Sequence, residues 1–230
     1  MPRRPPLVEP VSAACLARVL PFALYVAFLA LEPLVARAAP GWDLRWLYAV
    51  QIGAVLAALT FFARDYIELS VPAPVRGHDW LLAAATGLAV FAAWIHLDLP
   101  WATLGEARGF DPSRADGSPD WALVAVRIFG AAAVVPVMEE LFWRSFVLRW
   151  IWHDDFMRVA PASIGLRAIV LGALLFGLEH NLWFAGVLAG LAYGWLYRRC
   201  GSLWPPIAAH ALTNLLLGLW VVLTANWRFW

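Results

Sequence analysis

Three short stretches place acidic, imidazole and amide groups among apolar side chains. VMEELFWRSF carries Glu139, Glu140 and Arg144, LLFGLEHNLW carries Phe176 and His180, and WPPIAAHALTN carries His210 and Asn214. An ionic residue at the centre of an apolar helix costs about 2.5–3.5 kcal/mol on insertion scales, so acids kept there require a compensating role. Glu140 and Arg144 stand four residues apart with the acid first, the favoured order for a helical ion pair. Glu139 is left without that partner, and Trp143 is placed one turn on to cover it with apolar surface. A partly desolvated carboxylate is a useful proton acceptor. Phe176 and His180 share a helix face, as do His210 and Asn214. Together Glu139, His180, His210 and Asn214 supply a general base, a second proton-handling group and two donors for a developing oxyanion, which is equipment for peptide hydrolysis. No serine is obviously paired with this set and no aspartate pair is present, which disfavours a serine or aspartyl protease.

The elements that must carry these residues are membrane helices. The chain has 230 residues, of which 63% are hydrophobic and 14% charged, against roughly 25% charged in a soluble domain. Its mean hydropathy is +0.70. Apolar windows near 16–35, 44–63, 79–97, 121–150, 164–180, 182–198 and 204–224 run close to the ~20 residues that cross a bilayer. The expectation is an all-α, polytopic membrane helix bundle of about seven transmembrane helices. It forms a single integral membrane domain over 1–230, with the chemistry confined to 121–224. Trp42, Trp46, Trp80, Trp101, Trp121, Trp150, Trp152 and Trp204 fall near the proposed ends, where amphipathic rings favour the interface. The fourth window is too long for one straight crossing, and Pro136 inside it predicts a kink or break just before the acidic pair. Gly186, Gly190 and Gly194, spaced by four, predict close helix packing.

The amino terminus resembles a secretory signal, MPRRPP then an apolar run then Ala36-Arg37-Ala38, but the run of about 20 residues exceeds a signal h-region. It is taken as a retained first span. Residues Leu97 to Asp120 form the longest polar interval and are expected as an exposed loop. With the amino terminus cytoplasmic, Arg3, Arg4, Arg64, Arg76, Arg158, Arg198 and Arg199 fall inside, and the acidic loop falls outside. Net charge is +1 and no lysine occurs, so nothing suggests a nucleic-acid face. Cys15 and Cys200 form no metal-type spacing. Glu32, His96, His153, Asp154, Asp155 and Glu179 are assigned to interfaces or loops.

In chain order EELFWR fits EExxxR, FGLEH fits FxxxH and HALTN fits HxxxN. On these motifs the chain resembles the CAAX protease and bacteriocin-processing family, the type II CAAX prenyl endopeptidase group of intramembrane proteases. The segment WHDDFMRVAPASIG and the tryptophan-rich composition resemble the bacterial subgroup found with exosortase systems. The resemblance implies that Glu139 and His180 activate water, that His210 and Asn214 stabilise the oxyanion, and that Glu140, Arg144 and Phe176 support the site. It implies a membrane-associated protein or peptide substrate and a place in a bacterial cytoplasmic (inner) membrane, in contact with the lipid bilayer. Such enzymes have been classed as metalloproteases, and Glu139, His180 and His210 would make a His₂Glu zinc site with water in the fourth position. HExxH is absent, however, and direct activation of water without metal is the favoured reading. Two other functions compete: a non-catalytic membrane scaffold or immunity protein, and a proton-coupled transporter with an acidic relay.

Overall fold

A computed structural model describes residues 12–70, 75–105 and 109–230. The amino-terminal MPRRPP segment with Arg3 and Arg4, and positions 106–108 of the long loop, lie outside the described residues. The elements are helical: α1 Ala13–Ala38, α2 Leu47–Phe61, the short α3 Ile67–Ser70, α4 Gly77–His96, α5 Trp121–Trp152, α6 Leu166–Leu178, α7 Trp183–Cys200 and α8 Trp204–Thr224. α1, α4, α5 and α8 are long and apolar enough to cross a membrane. α2 and α6 are apolar but shorter, at 15 and 13 residues, and α7 ends in the Arg198-Arg199 pair.

The side-chain distribution is inverted relative to a water-soluble bundle. Phe61, Leu81, Leu178 and Leu223 point outward, while Arg18, Glu139, Glu140 and Arg144 are inside, Glu140 with no exposed surface. Apolar surface facing outward and ionic groups facing inward is the arrangement expected when the surrounding solvent is hydrocarbon. The chain is an integral membrane protein.

Helix ends follow local chemistry. Ser12 caps α1 by accepting from the Cys15 amide at 3.2 Å, and α7 stops at Gly201, whose φ of 68° suits a left-handed cap. Asp120 caps α5, accepting from the Ala122 and Leu123 amides at 3.1 and 3.4 Å. Arg114, bonded to its side chain, together with those amides holds the Asp120 carboxyl below the usual carboxylate range. Pro136 does not break α5. Instead the helix widens into a π-helical segment at Gly130–Val134, returns to α geometry through Glu139 and Glu140, and widens again over Leu141–Val147. The Val135 amide bonds the Gly130 carbonyl five residues back. In that register the next donor would be Pro136, which has no N–H, so the frame ends there.

One end of the bundle is sealed by polar bonds. Arg18 in α1 forks onto Glu68 of α3, with Nε to Oε1 at 2.9 Å and Nη2 to Oε2 at 2.5 Å. Ser145 of α5 donates to Glu68 and accepts from Arg18 Nε at 2.9 Å and Arg149 Nη1 at 3.3 Å. Arg149 also donates to the carbonyls of Met157 and Val159 at 3.0 and 3.1 Å, tying the 153–165 connection to α5. Arg64, Arg76, Arg158, Arg167, Arg198 and Arg199 lie in or beside the connections of this same end.

α6 and α7 form a tight hairpin, and α4 packs along α8. The glycine stripe expected to let helices approach works unequally. A Cβ on Gly190 would fall 2.7 Å from Ala173 Cα and one on Gly186 2.9 Å from Gly177 Cα, whereas at Gly194 the nearest atom is Ile169 Cγ2 at 3.4 Å. Gly190→Ala should therefore lower the melting temperature in detergent by an amount matching about 1–3 kcal/mol of overpacking, and Gly194→Ala should leave it nearly unchanged. Equal effects at the two positions would contradict this packing.

Candidate active site

The depth of the motif residues follows from helix lengths. α6 has 13 residues, about 20 Å at 1.5 Å each, so from the arginine-rich end it stops roughly 10 Å short of the far side of a ~30 Å hydrocarbon core. Glu179 is its C-cap, and His180 follows in the turn to α7. His210 enters from the same end, about 9 Å into α8. The short α6 thus lets a histidine at the end of one helix and a histidine near the start of another meet at intermediate depth.

They meet around Phe176. Its ring centroid lies 4.6 Å from that of His180 and 6.3 Å from that of His210. Glu139, His180, His210 and Asn214 all line one cavity of about 200 Å³, walled by α4, α5, α7 and α8 with Tyr25 of α1, Tyr48 of α2 and Phe176 of α6. The structure brings together every residue that the sequence nominated for chemistry.

Hydrogen-bond direction fixes which nitrogen of each histidine faces the cavity. His180 Nδ1 lies 2.7 Å from the Phe176 carbonyl, which can only accept, so Nδ1 carries the proton and Nε2 the lone pair. His210 Nδ1 donates to Glu140 Oε1 at 3.0 Å, and its Nε2 stands 3.9 Å from Glu139 Oε2. Glu140 Oε1 also accepts from Arg144 Nη1 at 2.9 Å. The ion pair expected within α5 is therefore present and extends to α8, forming an Arg144–Glu140–His210 chain. Arg144 is further held over the Phe176 and Tyr193 rings, at 4.5 and 5.2 Å. Tyr193 stacks on His210 at 5.1 Å, and its hydroxyl meets Thr213 Oγ1 at 2.7 Å.

Glu139 Oε2, Glu140 Oε2 and Arg144 Nη2 are each buried without a hydrogen-bond partner among the described residues, but of the three side chains only Glu139 lines the cavity, and only Glu139 makes no hydrogen bond at all. A carboxylate oxygen in that position demands a polar visitor, because an unmet buried acceptor costs about 1–3 kcal/mol or more when charged. Trp143 lies in the π-helical turn Leu141–Val147, where its Nε1 donates to Glu179 Oε2 at 3.0 Å and its ring meets those of Phe22 and Phe176 edge to face. Asn214 Nδ2 donates to the Ala131 carbonyl at 2.8 Å, the acceptor that Pro136 would have bonded in the π register. One amide hydrogen of Asn214 is thus structural, and the other remains for the cavity.

Sequence reasoning missed several contributors. Trp94 packs its edge on His180 at 5.3 Å, Tyr193 orients His210, Arg127 lines the cavity, and Phe229 with Trp230 forms its far wall. Isolated aromatic residues in apolar helices carry no signal beyond core packing. The long loop taken as merely exposed crosses the mouth: Leu104 and Asn181 exchange backbone and side-chain bonds at 2.7 and 2.5 Å, and the Phe110 amide donates to the Trp230 carbonyl at 3.1 Å. Among the described residues no three His, Cys, Asp or Glu side chains lie close enough to hold a metal ion. As placed, Glu139, His180 and His210 do not fit zinc.

The fold and cavity define a helical membrane protein with a glutamate–histidine site enclosed between its helices. Residues 121–216 match the family model of the type II CAAX prenyl endopeptidase Rce1-like proteins. This segment is thus similar to the CAAX protease family that the three motifs resemble, and the match spans all of them. No curated protein and no solved structure matches the chain.

The two acids are not equivalent. Glu140→Ala removes the counter-charge of a buried arginine and should cost about 3–5 kcal/mol of stability. Asn214→Ala removes one neutral hydrogen bond and exposes one carbonyl, for about 1–3 kcal/mol. Thermal unfolding of the purified variants in detergent would test that order, and a reversal would displace Glu140 from the centre of the network.

Proposed function

We propose that the chain is an intramembrane endopeptidase that uses Glu139 as the general base on water. The observation that carries this reading is a Glu139 side chain that makes no hydrogen bond among the described residues and lines one cavity with two histidines whose Nδ1 atoms are held elsewhere. Water bound between Glu139 and the His180 Nε2 lone pair gives a proton to Glu139 as its oxygen attacks the peptide carbonyl carbon. The carbonyl oxygen becomes an oxyanion, which accepts from the second Asn214 amide hydrogen and from Nε2–H of His210 in its imidazolium form. That cation is balanced by Glu140, itself neutralised in part by Arg144. Collapse breaks the C–N bond, and Glu139 returns its proton to the departing nitrogen. Water is thereby divided between the new carboxyl and the new amine. Exclusion of bulk water strengthens each of these interactions.

Glu139→Gln preserves shape and removes the base, so it should reduce cleavage at least a hundredfold while the protein still inserts and melts normally. Comparing new peptide termini in membranes from cells making the wild-type or the Glu139→Gln protein would reveal the substrate directly. Identical sets of termini would sink the reading.

The arginines of the sealed end put that end in the cytoplasm. The cavity then opens away from the cytoplasm, through the side lined by Trp94, the 180–182 turn and Trp230. Its substrates are membrane-associated proteins or peptides presented from that side. In a background with Cys15 and Cys200 replaced by alanine, a cysteine placed at Ser113 should react with an impermeant maleimide in intact cells, and one at Arg158 only after lysis. The opposite pattern would invert the orientation.

A further inference from the structure

Arg127 is set apart from the other arginines that reach into the bundle. Arg18, Arg144 and Arg149 each donate to carboxylate, hydroxyl or carbonyl oxygens. Arg127 has no hydrogen-bond or ion-pair partner among the described residues, and its guanidinium lies over the Tyr48 ring at 4.3 Å and the Phe110 ring at 5.3 Å. A lipid-facing arginine would extend its head to the membrane surface. This one is half-buried and lines the same cavity as Glu139 and Asn214. It also lines the adjoining cavity, of about 470 Å³, that reaches the 109–111 loop. A cation held against two rings, with its N–H groups uncommitted, is placed to bind a planar anion.

The spacing gives that anion a place. Arg127 precedes Glu139 by twelve residues on α5, about 18 Å at 1.5 Å per residue, which an extended peptide covers in about five residues at 3.3 Å each. Resting on the endopeptidase reading above, we propose that Arg127 is a substrate-specificity residue. It binds a carboxylate of the substrate about five residues from the scissile bond, contributed either by the chain end or by an aspartate or glutamate side chain. Substrates are thereby selected for negative charge at the outer end of the cavity.

Binding can be measured apart from turnover in the Glu139→Gln protein in detergent micelles. The probes are three fluorescent apolar decapeptides: one with a free carboxyl terminus, its carboxyl-terminal amide, and the amide carrying one glutamate as its last residue. The expected result is that the free acid binds about ten- to a hundredfold tighter than the plain amide. Arg127→Gln should abolish that preference and Arg127→Lys should keep part of it. If the glutamate amide matches the free acid, the subsite takes any carboxylate; if it matches the plain amide, the subsite takes the chain end. Equal binding of all three peptides, or a carboxylate preference that survives Arg127→Gln, overturns the proposal. Unchanged termini in the Glu139→Gln comparison would remove the protease reading while a charge-dependent affinity left the subsite standing. A melting curve for each variant confirms that the comparison is between folded proteins.

Discussion

A bilayer supplies no water to an unpaired polar group, so a charge buried in this bundle is costly unless another side chain answers it. Glu140 does most of that work. It has no exposed surface, and the same oxygen receives Arg144 from its own helix and His210 from α8. The carboxylate neutralises the arginine, joins two helices and chooses the tautomer of the histidine. Glu139, its neighbour in sequence, makes no hydrogen bond among the described residues and lines the cavity, with His210 Nε2 3.9 Å from its Oε2. The acid held in the network and the acid that faces the cavity are thus adjacent because a helix turns successive residues about 100° apart. One points at the arginine and the other into the cavity.

The second constraint begins at Pro136. Lacking an N–H, it leaves the Ala131 carbonyl without its partner in the π register, and an orphan carbonyl at this depth has to find another donor. Asn214 supplies it from α8. The same bond therefore closes the gap in α5, sets the distance between α5 and α8, and aims the remaining Asn214 hydrogen. π-Helical turns on both sides of the acidic pair let α5 stay helical while its faces are reset. Removing Pro136 would restore a donor and deprive Asn214 of its acceptor, so the irregularity is part of how the site is built.

The sequence displays this site clearly where chemistry is unusual for its surroundings, and poorly where it is not. Glu139, Glu140, Arg144, His180, His210 and Asn214 stand out because each is costly in an apolar helix. Their helices are evident from hydropathy for the same reason. Less evident is the length of α6: its window runs on through Glu179 and His180, whereas the helix ends at Leu178. That shortness lets His180, at the end of one helix, meet His210, near the start of another. Arg127 and the loop that crosses the mouth leave no periodic trace, because their roles arise from contacts between distant segments.

The two ends of the bundle are held by different kinds of force. At the arginine-rich end the Arg18–Glu68–Ser145–Arg149 bonds tie α1, α3, α5 and the 153–165 connection together through buried, charge-assisted contacts. At the other end the contacts are backbone bonds between loops, the partly exposed Arg228–Asp98 pair and aromatic rings at the cavity wall. Partly exposed pairs and loop bonds are worth about 1 kcal/mol each, whereas breaking a buried ion pair costs several. Local opening therefore falls at the end bearing Trp94, Asn181 and Trp230, and it leaves the acid–histidine network undisturbed. The bundle thus has a rigid floor, where the Arg18–Glu68–Ser145–Arg149 bonds lie, and a mouth of low stability.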